Sequence, residues 1–182
     1  MKILVSKGFT MIEIVIVIFI TGIIGSMAAS LLYQGADIYV DETNRQGFVS
    51  ESRSAFWRIM RETQGQRSSE DFGQSGQEIL NLKNANNISR EFRIISNEFQ
   101  FSLGGSNYSD LSNSVLSNNF YFYNNVFSDI TPPSAGLLSQ SDAEFIHLTK
   151  LKFTFQKGSD SFSLSSYIYP INFRFGKKMS YH

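Results

Sequence analysis

Hydrophobic and polar positions follow three different rules along the 182 residues. From Ile14 to Ala36 no charge interrupts the chain, and the 23-residue run IVIVIFITGIIGSMAASLLYQGA reaches roughly 34 Å as a helix at about 1.5 Å per residue. A hydrocarbon core is about 30 Å thick, so this segment reads as a membrane span. From Phe48 the rule changes. Phe48, Val49, Ser52, Ala55, Phe56, Ile59 and Met60 recur at three- and four-residue spacing, a stripe that can lie on a sheet, with Arg58 and Arg61 on the other side. Gly65 followed by Gln-Arg-Ser-Ser supplies a stop, predicting one helix from Phe9 to Gln64, about 84 Å long. A globular domain cannot bury a helix of that length. Its first half is therefore expected to project, with the polar stretch DETNRQG between Asp41 and Gly47 separating membrane from head. Gly22, Gly25 and Gly47 are candidate weak points, and packing faces are the better reading for Gly22 and Gly25.

Past the helix the period shortens to two. Residues 66–91, rich in Ser, Gln, Gly and Asn, read as a connector with Ile79, Leu80 and Leu82 as a possible short strand. Phe92 to Phe101 reads as one strand placing Phe99, Phe101 and Leu103 on one face, with a turn at Gly104-Gly105. Phe120 to Phe127 is another strand, and Thr131-Pro-Pro-Ser-Ala-Gly is a loop. The strongest hairpin signal comes last: Phe145 to Gln156 alternates at Leu151, Phe153 and Phe155, Lys157-Gly-Ser-Asp turns, and Phe162 to Phe175 returns. The predicted fold is α+β, a long N-terminal helix whose second half lies across one antiparallel sheet, a "lollipop". Its parts are 1–8, 9–36, 37–65 and 66–182.

Composition narrows the partners. Sixteen Lys and Arg balance sixteen Asp and Glu, which argues against a generally basic nucleic-acid binder and against a solvated acidic chain. The absence of cysteine rules out a disulfide framework, a Cys-ligated metal and a thiol nucleophile. Ser (27) and Asn (13) beside Phe (17) indicate an ordered, loop-rich β region. Lys2 and Lys7 precede the span while Asp37, Asp41 and Glu42 follow it, so the positive-inside rule puts the N-terminus in the cytoplasm and the rest outside. A secretory signal peptide competes, with Ser26-Met27-Ala28 as a cleavage site. The run is longer than the roughly 7–15 apolar residues of such a signal, and Glu13 stands at its leading edge.

Glu13 alone could simply snorkel to the headgroups. It lies, however, in Lys7-Gly8-Phe9-Thr10-Met11-Ile12-Glu13, directly before the apolar run. This string resembles the processing signal of type IV prepilins and pseudopilins. The resemblance implies that a membrane-embedded aspartic peptidase cuts between Gly8 and Phe9, that Phe9 is then N-methylated, and that Glu13 is the fifth residue of the mature chain. It also implies that Glu13 pairs with the terminal amine of a neighbouring subunit and so sets the assembly register. Each charge would be poorly solvated, so losing one partner costs more than the roughly 0–1 kcal/mol of an exposed pair.

Arg53-Ser-Ala-Phe-Trp-Arg-Ile-Met-Arg-Glu is similar to the start of the head in J-type minor pseudopilins and W-type minor pilins, and Ser163-Leu-Ser-Ser-Tyr-Ile-Tyr-Pro-Ile-Asn to a closing strand of such subunits. The lack of Cys and of a proline in the span departs from major pilins, which favours a minor subunit. The resemblance implies as partners the prepilin peptidase, fellow pilin subunits, a platform membrane protein, an assembly ATPase and inner-membrane lipid. A type IV pilus, a type II secretion pseudopilus and a competence filament all stay open. Phe48, Ser52, Phe56 and Ile59 are the expected packing residues between helix and head.

Catalysis has little to stand on. His147, within an expected strand, and His182 are the two histidines, and no GxSxG, HExxH or P-loop accompanies them. Asp41-Glu42 and Glu70-Asp71 read as solvated surface, so no metal and no cofactor is expected. Nucleic acid is the remaining alternative, for a DNA-binding or adhesive tip subunit. Lys150, Lys152, Lys157, Arg174, Lys177 and Lys178 face a single acid, Asp160, after residue 149. Strand alternation sets Lys150 and Lys152 opposite Leu151 and Phe153, and Arg174 opposite Phe173 and Phe175. A stacking platform needs cations and aromatics on one face, so nucleic acid is not expected as a partner.

Overall fold

The computed structural model describes residues 8–104 and 107–175. The chain divides into two compact units, Met1–Gln46 and Gly47–His182. Helix α1 spans Met11–Gln64. In the first unit all its side chains are exposed, Leu32 at 76% and Ile12 at 68% among them. Its hydroxyls turn inward on the helix: Ser26 Oγ donates to the Ile23 carbonyl (2.8 Å) and Thr43 Oγ1 to the Tyr39 carbonyl (2.8 Å). Thr21 Oγ1 does the same toward Val17. Such back-bonding satisfies donors that hydrocarbon would leave orphaned. A Cβ added at Gly22, Gly25 or Gly47 would meet nothing within 4 Å in the single chain.

In the second unit, the remainder of α1 packs on antiparallel sheets, giving an α+β fold of the pilin type. Phe48, Ser52, Ala55, Phe56, Ile59 and Thr63 are buried, and Val49 and Met60 flank them. Arg61 is exposed, whereas Arg58 stands at the stripe's border with its guanidinium 4.1 Å from the Phe101 ring centroid. The long alkyl stem and flat cation let arginine cover an apolar edge. The helix stops where the Gly65 amide closes onto the carbonyls of Arg61 and Glu62.

Two sheets form where one was expected. Sheet A is an antiparallel meander of β1 (Ile79–Lys83), β2 (Ser89–Ile95), β3 (Glu98–Ser102) and β4 (Tyr108–Ser112) in sequence order. Sheet B joins β5 (Val115–Tyr123), β6 (Leu148–Lys157) and β7 (Asp160–Ile168). The expected single strand from Phe92 to Phe101 is a hairpin. Ser96 (φ 51°) and Asn97 (φ 71°) form a two-residue turn whose left-handed geometry matches strand twist, pairing Phe92 with Phe101. Leu103 lies past the end of β3 and is 62% exposed, off the face shared by Phe99 and Phe101.

Most of the expected connector is ordered. A 3₁₀ turn at Ser69–Phe72 sinks Phe72 fully into the core, followed by β1 and the start of β2. β5 ends at Tyr123 rather than Phe127, because the Asn124 side chain accepts the amides of Val126 (3.1 Å) and Ser128 (2.9 Å) and bends the chain. Val126 and Phe127 are thereby left exposed. The last hairpin turns at Gly158 (φ 61°), and its return strand stops at Ile168. Pro170 has no amide for a ladder, and Ile171–Phe175 form a 3₁₀ turn.

The core is built from phenylalanines. Phe153 of β6 meets Phe56 of α1 (5.8 Å between centroids), Phe99 of sheet A (5.0 Å), Phe120 (5.7 Å) and Phe155 (5.8 Å).

Candidate functional site

Gly8, Phe9 and Thr10 lead into α1 without regular structure, and Phe9 is 77% exposed. Thr10 is the N-cap. Its carbonyl accepts the amides of Glu13 (3.1 Å) and Ile14 (3.3 Å), the first bonds of the helix. Glu13 reaches back: its Oε2 accepts both the Thr10 amide and the Thr10 hydroxyl at 2.8 Å, while the Glu13 amide donates to Thr10 Oγ1 at 3.4 Å. This is a capping box, in which residues three apart satisfy each other's orphan donors at a helix start. A carboxylate there also sits at the positive end of the helix dipole. Neither side-chain bond engages Oε1. Thr10 is part of the processing-signal string, and the T-x-x-E spacing ahead of an apolar run also makes its capping role readable in sequence.

Replacing Thr10 by valine keeps the shape and removes the hydroxyl. The Glu13 amide should then exchange its hydrogen about 2- to 30-fold faster in micelles, corresponding to the 0.5–2 kcal/mol a lost N-cap costs. Unchanged protection at Glu13 would show that the cap contributes nothing to the helix start.

The apolar half of α1 provides one helix long and apolar enough to cross a membrane. Residues 5–29 match the prokaryotic N-terminal methylation motif. The chain is a type IV prepilin-like protein. The matched stretch contains Gly8, Phe9, Thr10, Glu13 and the first sixteen residues of the uncharged run, whereas the head lies outside it. No curated protein and no solved structure matches the chain. Motif and exposed apolar helix together are consistent with membrane anchoring of this prepilin-like chain.

The other sequence-predicted residues are dispersed. Phe48, Ser52, Phe56 and Ile59 are buried where α1 meets the sheets, Phe48 edge-on to Phe162 of β7 at 5.3 Å. Lys150 and Lys152 stand on the solvent side of β6, opposite buried Leu151 and Phe153. Arg174 belongs to the closing 3₁₀ turn, so strand alternation does not apply to it. Lys177, Lys178 and His182 lie outside the described residues. His147 precedes β6 rather than lying in it, its ring edge-on to Tyr169 at 4.9 Å. Among the described residues no group of three His, Cys, Asp or Glu is placed to hold a metal ion.

One expectation about the basic residues is overturned. The ladder sets Tyr121 and Tyr167 directly opposite Lys150 on either side, so tyrosines and lysine share one face. Alternation along β6 separates Lys150 from Phe153, but only strand pairing decides who stands beside it across the sheet.

Proposed function

We propose that this prepilin-like chain is a minor pilin or pseudopilin, a structural subunit and not an enzyme. The prepilin peptidase cuts between Gly8 and Phe9, Phe9 is N-methylated, and the chain sits as a single-pass inner-membrane protein with its N-terminus cytoplasmic and its head on the periplasmic side. It then joins fellow pilins, driven by a platform protein and an assembly ATPase, to prime or tip a pilus or a type II secretion pseudopilus. The observation carrying this reading is the capping box at Thr10 and Glu13 inside a matched methylation motif, opening a helix whose apolar side chains are all exposed as far as Val40. An exposed stripe of that kind needs lipid or neighbouring helices.

Glu13 then has two tasks. Within its own chain it caps the helix through Oε2, and between chains it neutralises the new amine at Phe9 of a neighbour. Removing one partner of an ion pair held away from water costs about 3–5 kcal/mol.

Intact mass and N-terminal analysis of the membrane-expressed chain, with and without a prepilin peptidase, tests the reading alongside Glu13→Ala. The expected product has lost residues 1–8 and carries a methyl group on Phe9, with cleavage retained and assembly lost in the variant. A chain still beginning at Met1 would make it an ordinary anchored protein, and a cut near Ala28 a secreted one.

A further inference from the structure

The solvent face of sheet B is a ladder of three matched rows. Across β5, β6 and β7 stand Tyr121–Lys150–Tyr167, then Asn119–Lys152–Ser165, then Ser117–Thr154–Ser163. Rows two residues apart along a strand lie roughly 6.7 Å apart. The Lys150 ammonium is 5.7 Å from the Tyr121 ring centroid and 4.8 Å from that of Tyr167, within cation–π range of both. The Tyr167 hydroxyl beside it raises the Lys150 pKa above the usual lysine value. Tyr123 adds a third ring, 6.2 Å from Tyr167 and tilted 45° to it. All nine side chains of the rows are exposed or half-buried, and no carboxylate stands in them. Asp129 approaches only the Tyr123 corner, where its charge, after burial, raises the phenol's pKa.

We propose that this face binds single-stranded nucleic acid, with Lys150 and Lys152 pairing with phosphates and Tyr121, Tyr123 and Tyr167 stacking on bases. Cations that track a backbone combined with aromatic rings that take base faces are what sequence-tolerant single-strand binding requires. A duplex hides its base faces, and two lysines neutralise too few of its phosphates to hold it. A flat polysaccharide ribbon would need coplanar rings, whereas the 45° tilt suits bases splayed one by one. This assignment stands on the head alone and does not rest on filament assembly.

The test is fluorescence anisotropy of a labelled oligo-dT with the full-length chain in detergent micelles, titrated in salt. Two phosphate contacts on a single strand predict a slope of about −1.4 for log affinity against log salt. Lys150→Gln with Lys152→Gln should flatten that slope toward zero. Tyr167→Ala, at an exposed edge-strand position, should weaken binding about 5- to 150-fold with the slope kept. If the tyrosine variant fails to melt like the parent, the lysine pair decides by itself. The proposal is overturned by absence of oligonucleotide binding, by an unaltered slope in the lysine variant, by loss of binding in Lys177→Gln with Lys178→Gln instead, or by retention of a polyuronate in place of the oligonucleotide.

Discussion

Replacing Phe153 by alanine should remove about 3–5 kcal/mol from the stability of the unit Gly47–His182, the largest effect expected of any single core truncation here. The ring is fully buried and is the place where three layers meet: Phe56 from α1, Phe99 from sheet A, and Phe120 and Phe155 within sheet B. A cavity at that point cannot be filled by one neighbour without moving it away from the other two, so relaxation is limited. Denaturant unfolding of the full chain in detergent, followed by near-ultraviolet circular dichroism, measures the loss. Phe153→Leu should lose distinctly less, since it keeps most of the volume. A loss under about 1 kcal/mol for the alanine variant would show that the layers are not held together through this ring.

Arg67→Met should be of similar size, about 3–5 kcal/mol, for an electrostatic reason. Arg67 holds Asp71 through two parallel bonds, Nε to Oδ2 and Nη2 to Oδ1, both 2.9 Å, and its Nη1 donates to Asn87 Oδ1 at 2.7 Å. The two side chains are 10% and 7% exposed. Without the guanidinium, the Asp71 carboxylate keeps, among the described residues, only the Lys83 ammonium at 3.7 Å and cannot recover its hydration. The cluster ties the exit of α1 to β1, since the Arg67 amide donates to the Lys83 carbonyl (2.8 Å) and Gln66 Oε1 accepts the Lys83 amide (2.7 Å). Arg90 and Glu62 form a second tie, from β2 to α1. Adding Asp71→Leu to Arg67→Met should restore most of the lost stability, because removing both charges removes the stranded one. If the double variant unfolds as easily as the single, the penalty comes from lost packing, not from a buried unpaired carboxylate.

These predictions concern residues that were invisible or understated in the linear chain. Arg67 and Asp71 sit in a stretch of Ser, Gln, Gly and Glu that looks like a solvated connector, and their burial comes from strands that arrive later in the sequence. The turn at Ser96-Asn97 interrupts an apolar alternation that reads unbroken. Nothing in Ile95-Ser96-Asn97-Glu98 except the turn tolerance of Asn marks it. β4, with the polar sequence YSDLS, forms because β3 offers it an edge, not because of its own propensity.

By contrast, the features that depend on local spacing were legible at once. The uncharged run, the basic start, Gly8-Phe9 with Glu13 after them, the buried stripe at Phe48, Phe56 and Ile59, and the alternation of β6 are set by intervals of one to four residues along a single element. Those intervals fix which face of a helix or strand a side chain occupies whatever else the chain does. Only the tertiary structure decided that there are two sheets and not one, that Phe153 is their meeting point, and that Tyr121 and Tyr167 flank Lys150. Each of these depends on pairing between segments tens of residues apart, where register and burial belong to the partners jointly and no local interval encodes them.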